Sequence, residues 1–230
     1  MAEAGAPEGT VLIAREQTAG KGRMGRSFYS AKDDGLYLSC LLRPNCPPTE
    51  LMHLTCAVGV AVCSAVEDAT GIKPQIKWIN DLVLDNKKLG GILTELSIHP
   101  GTGLVDYAII GIGINCLQEC FPEELSSIAT SLLLSTGKVF SPAHIAGCIM
   151  TRLETISHTL YDHKNGWLDS YRTLCVTLGK EVKVQCGDTA YTATARDVGN
   201  DGSLLVILPD GTERVVYSGE ASVRGLYGYL

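Results

Sequence analysis

The run Tyr107 to Cys116, YAIIGIGINC, restricts the fold more than any other stretch of the chain. It reads as an apolar strand of a core sheet in which Gly111 and Gly113 occupy alternating positions. Successive strand residues point to opposite faces, so both glycines remove side chains from the same face and clear space on it.

Other strands are expected around it. Val11–Ala14 and Leu36–Leu42 are short apolar runs, the second stopped by Pro44, Pro47 and Pro48. Gln75–Trp78, Leu82–Leu84 and Gly91–Ile98 follow, with Asp85-Asn86 as the turn between the last two. Between these groups the spacing of Leu51, Leu54, Val58, Ala61, Val62 and Ala65 predicts a helix, with Thr49 as its N-cap and Gly71 as its stop. Helical periodicity then dominates Glu123–Leu134, Pro142–Asp162 and Asn165–Cys175, with Gly137 and Gly166 as breaks. Strands first and helices later predict an α+β layer. From Leu178 onward, short alternating segments are separated by Cys-Gly-Asp, Asn-Asp-Gly and Pro-Asp-Gly, the pattern of hairpins in a small SH3-like barrel. The expected division is a catalytic-type domain over 1–176 and a barrel over 177–230.

Composition narrows the function. A chain of 230 residues buries a sufficient core without staples, and its odd number of cysteines, nine, reads as small buried hydrophobes in a reducing compartment. Cys116 and Cys120 are four apart but lack further ligands nearby, which argues against a zinc site. The start, MAEAGAPEGT, is not a secretory signal, and the apolar stretch Leu54–Ala65 is too short to span a bilayer, so a cytoplasmic location is expected. A net charge of −6 argues against coating nucleic acid. Locally the sign reverses: Arg15, Lys21, Arg23 and Arg26 face a single acid, Glu16, in one short window.

That window contains GKGRMGR, residues 20–26, on the spacing G-x-G-x-x-G. A dinucleotide turn would begin a helix at its third glycine and place an acid about 20 residues on; here turn formers follow Gly25, and no acid occurs between Gly35 and Thr49. A phosphate P-loop and a kinase set are also missing. The remaining reading is a loop whose amides and cations wrap a phosphate-bearing ligand, with a solvated hairpin tip as the alternative. In IKWINDL, residues 76–82, Lys77 lies inside an apolar strand, either as an edge-strand charge or as a buried cation awaiting an anion.

These residues together resemble biotin protein ligases. GKGRMGR is similar to the family's GRGRxGR, KWINDL to KWPNDL, KKLGGILTE to KLAGILVE, and GIGIN matches GIGIN; SGEASVR near the end resembles GEISLR. Order and spacing agree over nearly the whole chain. Lys21 stands where the family usually has arginine, and Ile79 where it has proline. The resemblance implies a class II aminoacyl-tRNA synthetase-like catalytic domain with a mixed sheet and an SH3-like C-terminal domain. It implies that biotin and MgATP give biotinyl-5′-AMP, and that a lysine of a biotin carboxyl carrier domain then takes the biotinyl group. It implies neither nucleic acid nor membrane as partner and leaves a homodimer open.

By the same resemblance, Lys77, Arg23 and Lys21 would be catalytic, and Gln17, Gly20, Gly22 and Gly91 would join them around biotin. Arg26, Phe28, Asn80, Lys88, Gly90, Gly113 and Asn115 would face the nucleotide. Asn80 and Asp81 would position Mg²⁺, with a turn cap as the equal reading. Gln17 reads equally as a strand-end polar residue, and Trp78 as core. A lipoate ligase lacks support because its R-R-x-S-G-G-G loop does not occur; a non-catalytic biotin- or nucleotide-binding protein is the other alternative. Family members carry a strand ending in Ser-Thr-Asn and a helix ahead of the segment resembling APEGTVLIA, which starts here at Ala6, and they include repressor ligases with a helix-turn-helix; neither feature occurs in this sequence. The expectation is that part of the biotin pocket wall lies outside the sequence and that the chain as given is a poor ligase.

Overall fold

The computed structural model describes residues 1–218 and 221–225. A six-stranded sheet has the order β1-β2-β6-β5-β4-β3, with β1 Val11–Ala14, β2 Gly35–Leu42, β3 Gln75–Lys77, β4 Asp81–Leu84, β5 Lys87–Ile98 and β6 Val105–Asn115. The pairings between these strands are antiparallel, and parallel pairing enters at the single bridges Ile76–Cys175 and Lys88–Ala129. Asp85 and Asn86 both take positive φ, 50° and 61°, the two-residue turn that suits the twist of a hairpin and joins β4 to β5.

Helices cover one face of this sheet: α1 (Leu54–Thr70) lies on β3, β4 and β5, α4 (Pro142–Thr159) on β2 and α1, and α5 (Lys164–Leu174) on β3 and α1. Because α1 is enclosed by sheet and helices, it is apolar on nearly every side, and Cys56, Ala57, Val58, Val62, Ala65 and Val66 are fully buried. Together with the preceding turn, Pro48–Thr70 is long and apolar enough to cross a membrane, but 72% of its most apolar window is buried in the protein. Gly71 ends α1 in the left-handed conformation, as expected. Thr49 does not cap it. Proline drives a 3-10 turn over Pro48–Leu51 that takes in Thr49, and the cap position falls on the buried His53.

Two other helical expectations change. Glu123–Leu134 divides into α2 (Glu123–Ser126) and α3 (Leu132–Thr136), because the segment between them pairs like a strand with Lys88: Lys88 N donates to Ile128 O at 2.8 Å and Thr130 N to Lys88 O at 2.9 Å. Gly166 lies within α5 and does not break it. The helix continues because Leu168 and Tyr171 on its inner side are fully buried, which outweighs the roughly 1 kcal/mol that glycine costs relative to alanine.

The C-terminal strands β7 (Glu181–Cys186), β8 (Thr189–Val198), β9 (Leu204–Ile207), β10 (Glu213–Val216) and β11 (Ala221–Gly225) form a second antiparallel sheet in the order β10-β9-β8-β7-β11. Gly187, Gly202 and Gly211 take positive φ in its three hairpin connections. Of the C-terminal motif, Gly219 and Glu220 lie outside the described residues. Trp78 joins the two sheets: its indole Nε1 donates to Gly202 O and its backbone N to Thr177 Oγ1, both at 2.9 Å. With 4% exposure it is core, as expected.

His53 is buried with Nε2 at 3.0 Å from Leu160 O, and its Nδ1 has no partner. Burial holds its pKa below the ordinary imidazole value, with the Leu160 carbonyl opposing. The unfolded chain therefore binds the proton first as pH falls through about 6.5, so the His53 contribution to stability is complete above that pH and is lost below it, down through the depressed native value. Urea midpoints should fall between about pH 7.5 and 5.5, and His53→Gln, which keeps a donor for Leu160 O, should fall less; equal slopes would remove His53 as the cause.

Candidate active site

The sheet face opposite the helices is crossed by two rows of paired residues. Ala14, Tyr37, Gly113, Gly91, Asp81 and Lys77 form one row; Leu12, Ser39, Gly111 and Leu93 form the next. Their neighbours Leu38, Ile92 and Ile112 point into the core beneath the helices. The rows floor a cleft of about 590 Å³, a size suited to a small-molecule ligand.

The glycines of this floor differ in what they permit. A Cβ on Gly111 would meet Leu93 O at 3.6 Å, and one on Gly91 would meet Asp81 Oδ1 and Lys88 Nζ at 3.6 Å, both ordinary contacts. The protein has room for side chains there, and the cleft is wider without them. At Gly113 a Cβ would lie 2.6 Å from the Phe28 ring, which rests on that glycine and meets Tyr37 edge-on at 6.5 Å. At Gly90 it would lie 2.3 Å from Gly113 O in the adjoining strand. Gly90 therefore serves strand packing and does not line the cleft.

The glycine loop arches over this floor as a narrow hairpin. Lys21 pairs with Ser27, Gly22 N donates to Arg26 O at 2.6 Å, and Phe28 N donates to Gly20 O at 2.8 Å. At the tip Met24 and Gly25 take φ of 54° and 72°. The Gly22 amide is thus spent inside the loop, contrary to the expectation that it faces an anion. Gly20 is needed because the strands of the hairpin touch there: a Cβ would lie 2.5 Å from Phe28 O.

The cations do the facing. Lys21, Arg23, Arg26 and Lys88 all line the cleft, whereas Arg15 turns away to an ion pair with Asp33. Arg23 is half-buried; its Nη1 donates to Asn80 Oδ1 at 3.3 Å and its Nη2 to the Ser218 carbonyl. Burial lowers its pKa, Asp81 opposes that shift, and the neighbouring charge of Arg26 adds to it. Lys88 Nζ sits 2.6 Å from Asp81 Oδ1 and 5.9 Å from the centre of the Phe28 ring. Gln17 lines the cleft with its amide donating to Ser30 Oγ at 3.0 Å.

Two further expected site residues do not line the cleft. Lys77 is 7% exposed and ends the Gly113–Gly91–Asp81 row without lining the cleft. Asn115 is also buried; its Nδ2 donates to Thr130 O at 3.0 Å and its Oδ1 accepts from Gln118, so its carboxamide holds the segment between α2 and α3 instead of facing the cleft. Ser39 and the apolar wall formed by Leu12 and Ala14 line the cleft without having been anticipated. Strand alternation marks Ser39, with Tyr37, on the face of LYLSCLL opposite Leu38.

Asn80 and Asp81 do not make a resident metal site. The Asn80 carboxamide is engaged by Ile92 O and Arg23, and an ammonium lies against the Asp81 carboxylate, where Mg²⁺ requires open oxygen donors. Among the described residues no group of three or more His, Cys, Asp or Glu side chains is placed to hold a metal, and burial raises the Cys116 thiol to about 12, far from a ligating thiolate.

Opposite outcomes are expected for Gly90, which packs between strands, and Gly111, which lies on the floor. Gly90→Ala should destabilise the fold by about 1–3 kcal/mol because its methyl meets backbone. Gly111→Ala should leave stability within about 0.5 kcal/mol while weakening ligand binding, since its methyl enters the cleft. Urea unfolding and ligand titration of both variants check this, and similar destabilisation by the two would contradict the assignment of faces.

Comparison with known proteins agrees with this architecture. Residues 1–115 match the model of the biotin/lipoate A/B protein ligase family, and residues 177–224 match that of the biotin protein ligase C-terminal domain. The bifunctional ligase/repressor BirA of Bacillus subtilis is 35% identical over 222 residues, covering 94% of this chain, which spans 66% of that relative's length. The biotin--[acetyl-CoA-carboxylase] ligase of Mycobacterium tuberculosis is 31% identical over 204 residues, covering 86% of this chain and 73% of its own. Among solved structures, the Aquifex aeolicus biotin protein ligase in complex with biotin and ATP superposes with a TM-score of 0.82 at 32% identity, covering 97% of this chain and 92% of that one. With one family model matched over residues 1–115, half of its length, a relative 31% identical and covered to 73%, and a fold that superposes on a solved ligase, the chain belongs to the biotin/lipoate A/B protein ligase family.

Proposed function

We propose that the protein is an ATP-dependent biotin protein ligase acting in the cytoplasm. The carboxylate of biotin attacks the α-phosphorus of ATP, the bond to pyrophosphate breaks, and biotinyl-5′-AMP forms. The amine of a carrier-domain lysine then attacks the acyl carbon, AMP leaves, and the amine loses a proton. The observation that carries this reading is the juxtaposition of a side-chain-free floor at Gly91 and Gly111 with four cations, Lys21, Arg23, Arg26 and Lys88, along one cleft. Family membership supports the same reaction.

The physical task is to bring two anions together. Attack of a carboxylate on a phosphate builds negative charge on the phosphoryl oxygens, and cations positioned beforehand stabilise that charge without reorganising. Lys21 and Arg23 are assigned to the reacting carboxylate and α-phosphate, Arg26 and Lys88 to the remaining phosphates. Lys77, at the end of the same sheet row, adds positive potential from the edge of the floor. The apolar wall of Leu12 and Ala14 with Gln17 suits the bicyclic end of biotin, and Phe28 with Gly113 the adenosine side. Mg²⁺ would arrive with ATP as part of the substrate, and no step depends on a metal held by the chain. An acyl adenylate hydrolyses in water, so a loop lying over it protects the intermediate. Residues 1–176 would carry this chemistry, and 177–230 would brace it.

The direct test combines the chain with ATP, biotin and a carrier domain, following pyrophosphate release and the mass of the carrier, with lipoate as the competing acid. Biotin-dependent release and a one-biotin shift are expected; transfer of lipoate instead, or binding without release, would replace the reading. Arg23→Gly removes a charge-assisted contact worth about 1.5–3 kcal/mol, so release of free biotinyl-AMP should rise on the order of tenfold to a hundredfold, with indiscriminate labelling of lysines. Retention equal to that of the parent protein, in a filter-binding assay, would count against Arg23 as the guard of the intermediate.

A further inference from the structure

We propose that Tyr171 and Thr177 are positioning residues: from α5 and the segment after it, they fix the main chain of residues 76–79 and so set where Asn80 and Asp81 meet the cations of the cleft. The proposal deepens the ligase reading of the cleft and, for its consequence in catalysis, rests on it.

The strand β3 lies at the edge of the six-stranded sheet and pairs there with β4 alone. A short edge strand leaves main-chain groups open on its outer side. The chain that follows α5 closes that side: Ile76 bridges Cys175 in parallel, and Val176 N donates to Ile76 O at 2.9 Å. Two side chains then continue the ladder. Thr177 Oγ1 accepts from Trp78 N at 2.9 Å, and Tyr171 Oη donates to Ile79 O at 3.1 Å. The next two residues belong to the cleft. Asn80 Oδ1 accepts from Arg23 at 3.3 Å, and Asp81 Oδ1 lies 2.6 Å from Lys88 Nζ. On its other side Asn80 meets β5, its main-chain oxygen accepting from Ile92 N at 2.9 Å.

The hydroxyl of Tyr171 adds a bond, not bulk. The side chain is fully buried, and its ring alone would fill the same room. Burial pushes its pKa well above the ordinary phenol value, with the thiols of Cys56, Cys175 and Cys63 adding to the shift, so the group stays a donor wherever the protein is folded. Thiols are weak partners, and a buried hydroxyl is costly unless it is bonded. The Ile79 carbonyl is the strong acceptor it reaches. Any displacement of the main chain at Ile79 passes to Asp81, two residues on, and through its carboxylate to Lys88, which is assigned to the phosphates.

Steady-state pyrophosphate release tests the role. Tyr171→Phe should raise KM for ATP about tenfold, the scale of one charged contact misplaced, and leave KM for biotin within about twofold. A merely structural role lowers the folded fraction, which reduces kcat and moves neither KM. Thr177→Val should repeat the ATP effect, and Thr177→Ser, which keeps the acceptor oxygen for Trp78 N, should restore the parent value. Tyr161→Phe removes a hydroxyl bonded to Pro44 and Cys46, residues that do not line the cleft, and should change neither KM. An unchanged KM for ATP in Tyr171→Phe, an equal rise in Tyr161→Phe, or a Thr177→Ser as impaired as Thr177→Val would overturn the proposal. Amide hydrogen exchange needs neither biotin nor ATP: in Tyr171→Phe the Trp78 and Ile92 amides should exchange about tenfold faster while those of β6 keep their rates. Such local loosening in a chain that releases no pyrophosphate would leave this inference standing and remove only the ligase reading; unchanged exchange at Trp78 and Ile92 in an active chain would remove the positioning alone.

Discussion

Everything in this protein is arranged around a sheet that carries side chains on one face and lacks them on part of the other. Leu38, Ile92, Ile110 and Ile112 fill the helix side, while Gly91 and Gly111 expose backbone on the cleft side. A strand with glycines on one face has little side-chain packing to hold it there, so its position must come from neighbouring strands and from the helix layer. The long antiparallel pairing of β5 with β6, and the nearly all-apolar α1 beneath, supply that support. The cleft is open because the opposite face is closed.

What the sequence made legible follows from how local each determinant is. The β4–β5 turn was readable because Asp85 and Asn86 tolerate left-handed backbone themselves, and the end of α1 because Gly71 does. The division of Glu123–Leu134 was not, because Ile128 and Thr130 pair with Lys88, some forty positions earlier, and that ladder outweighs helical periodicity. The site shows the same divide. The cations of the glycine loop announce themselves in seven residues, whereas the engagement of Asn115 with Thr130 and of Arg23 with Ser218 depends on folding that brings distant carbonyls into reach. Gly90 and Gly91 are identical in sequence and opposite in duty, and strand phase alone separates them.

Among the described residues that line the cleft, four cations face two acids, Asp81 and Glu95. Asp81 neutralises Lys88 and moderates Arg23 from a distance, leaving Lys21 and Arg26 solvated. The described lining is therefore net positive within a chain of net charge −6, a contrast that draws small anions to one place while the bulk surface stays indifferent to polyanions.

Besides the side chains of Asp197 and Thr177, the barrel meets the rest of the protein through its backbone. Trp78 finds the carbonyl of Gly202, Arg172 that of Val198, and Arg23 that of Ser218. A carbonyl is present whatever residue bears it, so these junctions specify where the barrel chain runs but not which side chains it carries. The barrel is thus free to drift in sequence at Ser218 so long as its hairpins keep their course, whereas Val198 is held by its own burial and the tryptophan and the arginines that grasp the chain have no such freedom. Substitutions accumulating unevenly across this junction, many on the accepting side and few on the donating side, are the pattern such an asymmetric seam would leave in the course of descent.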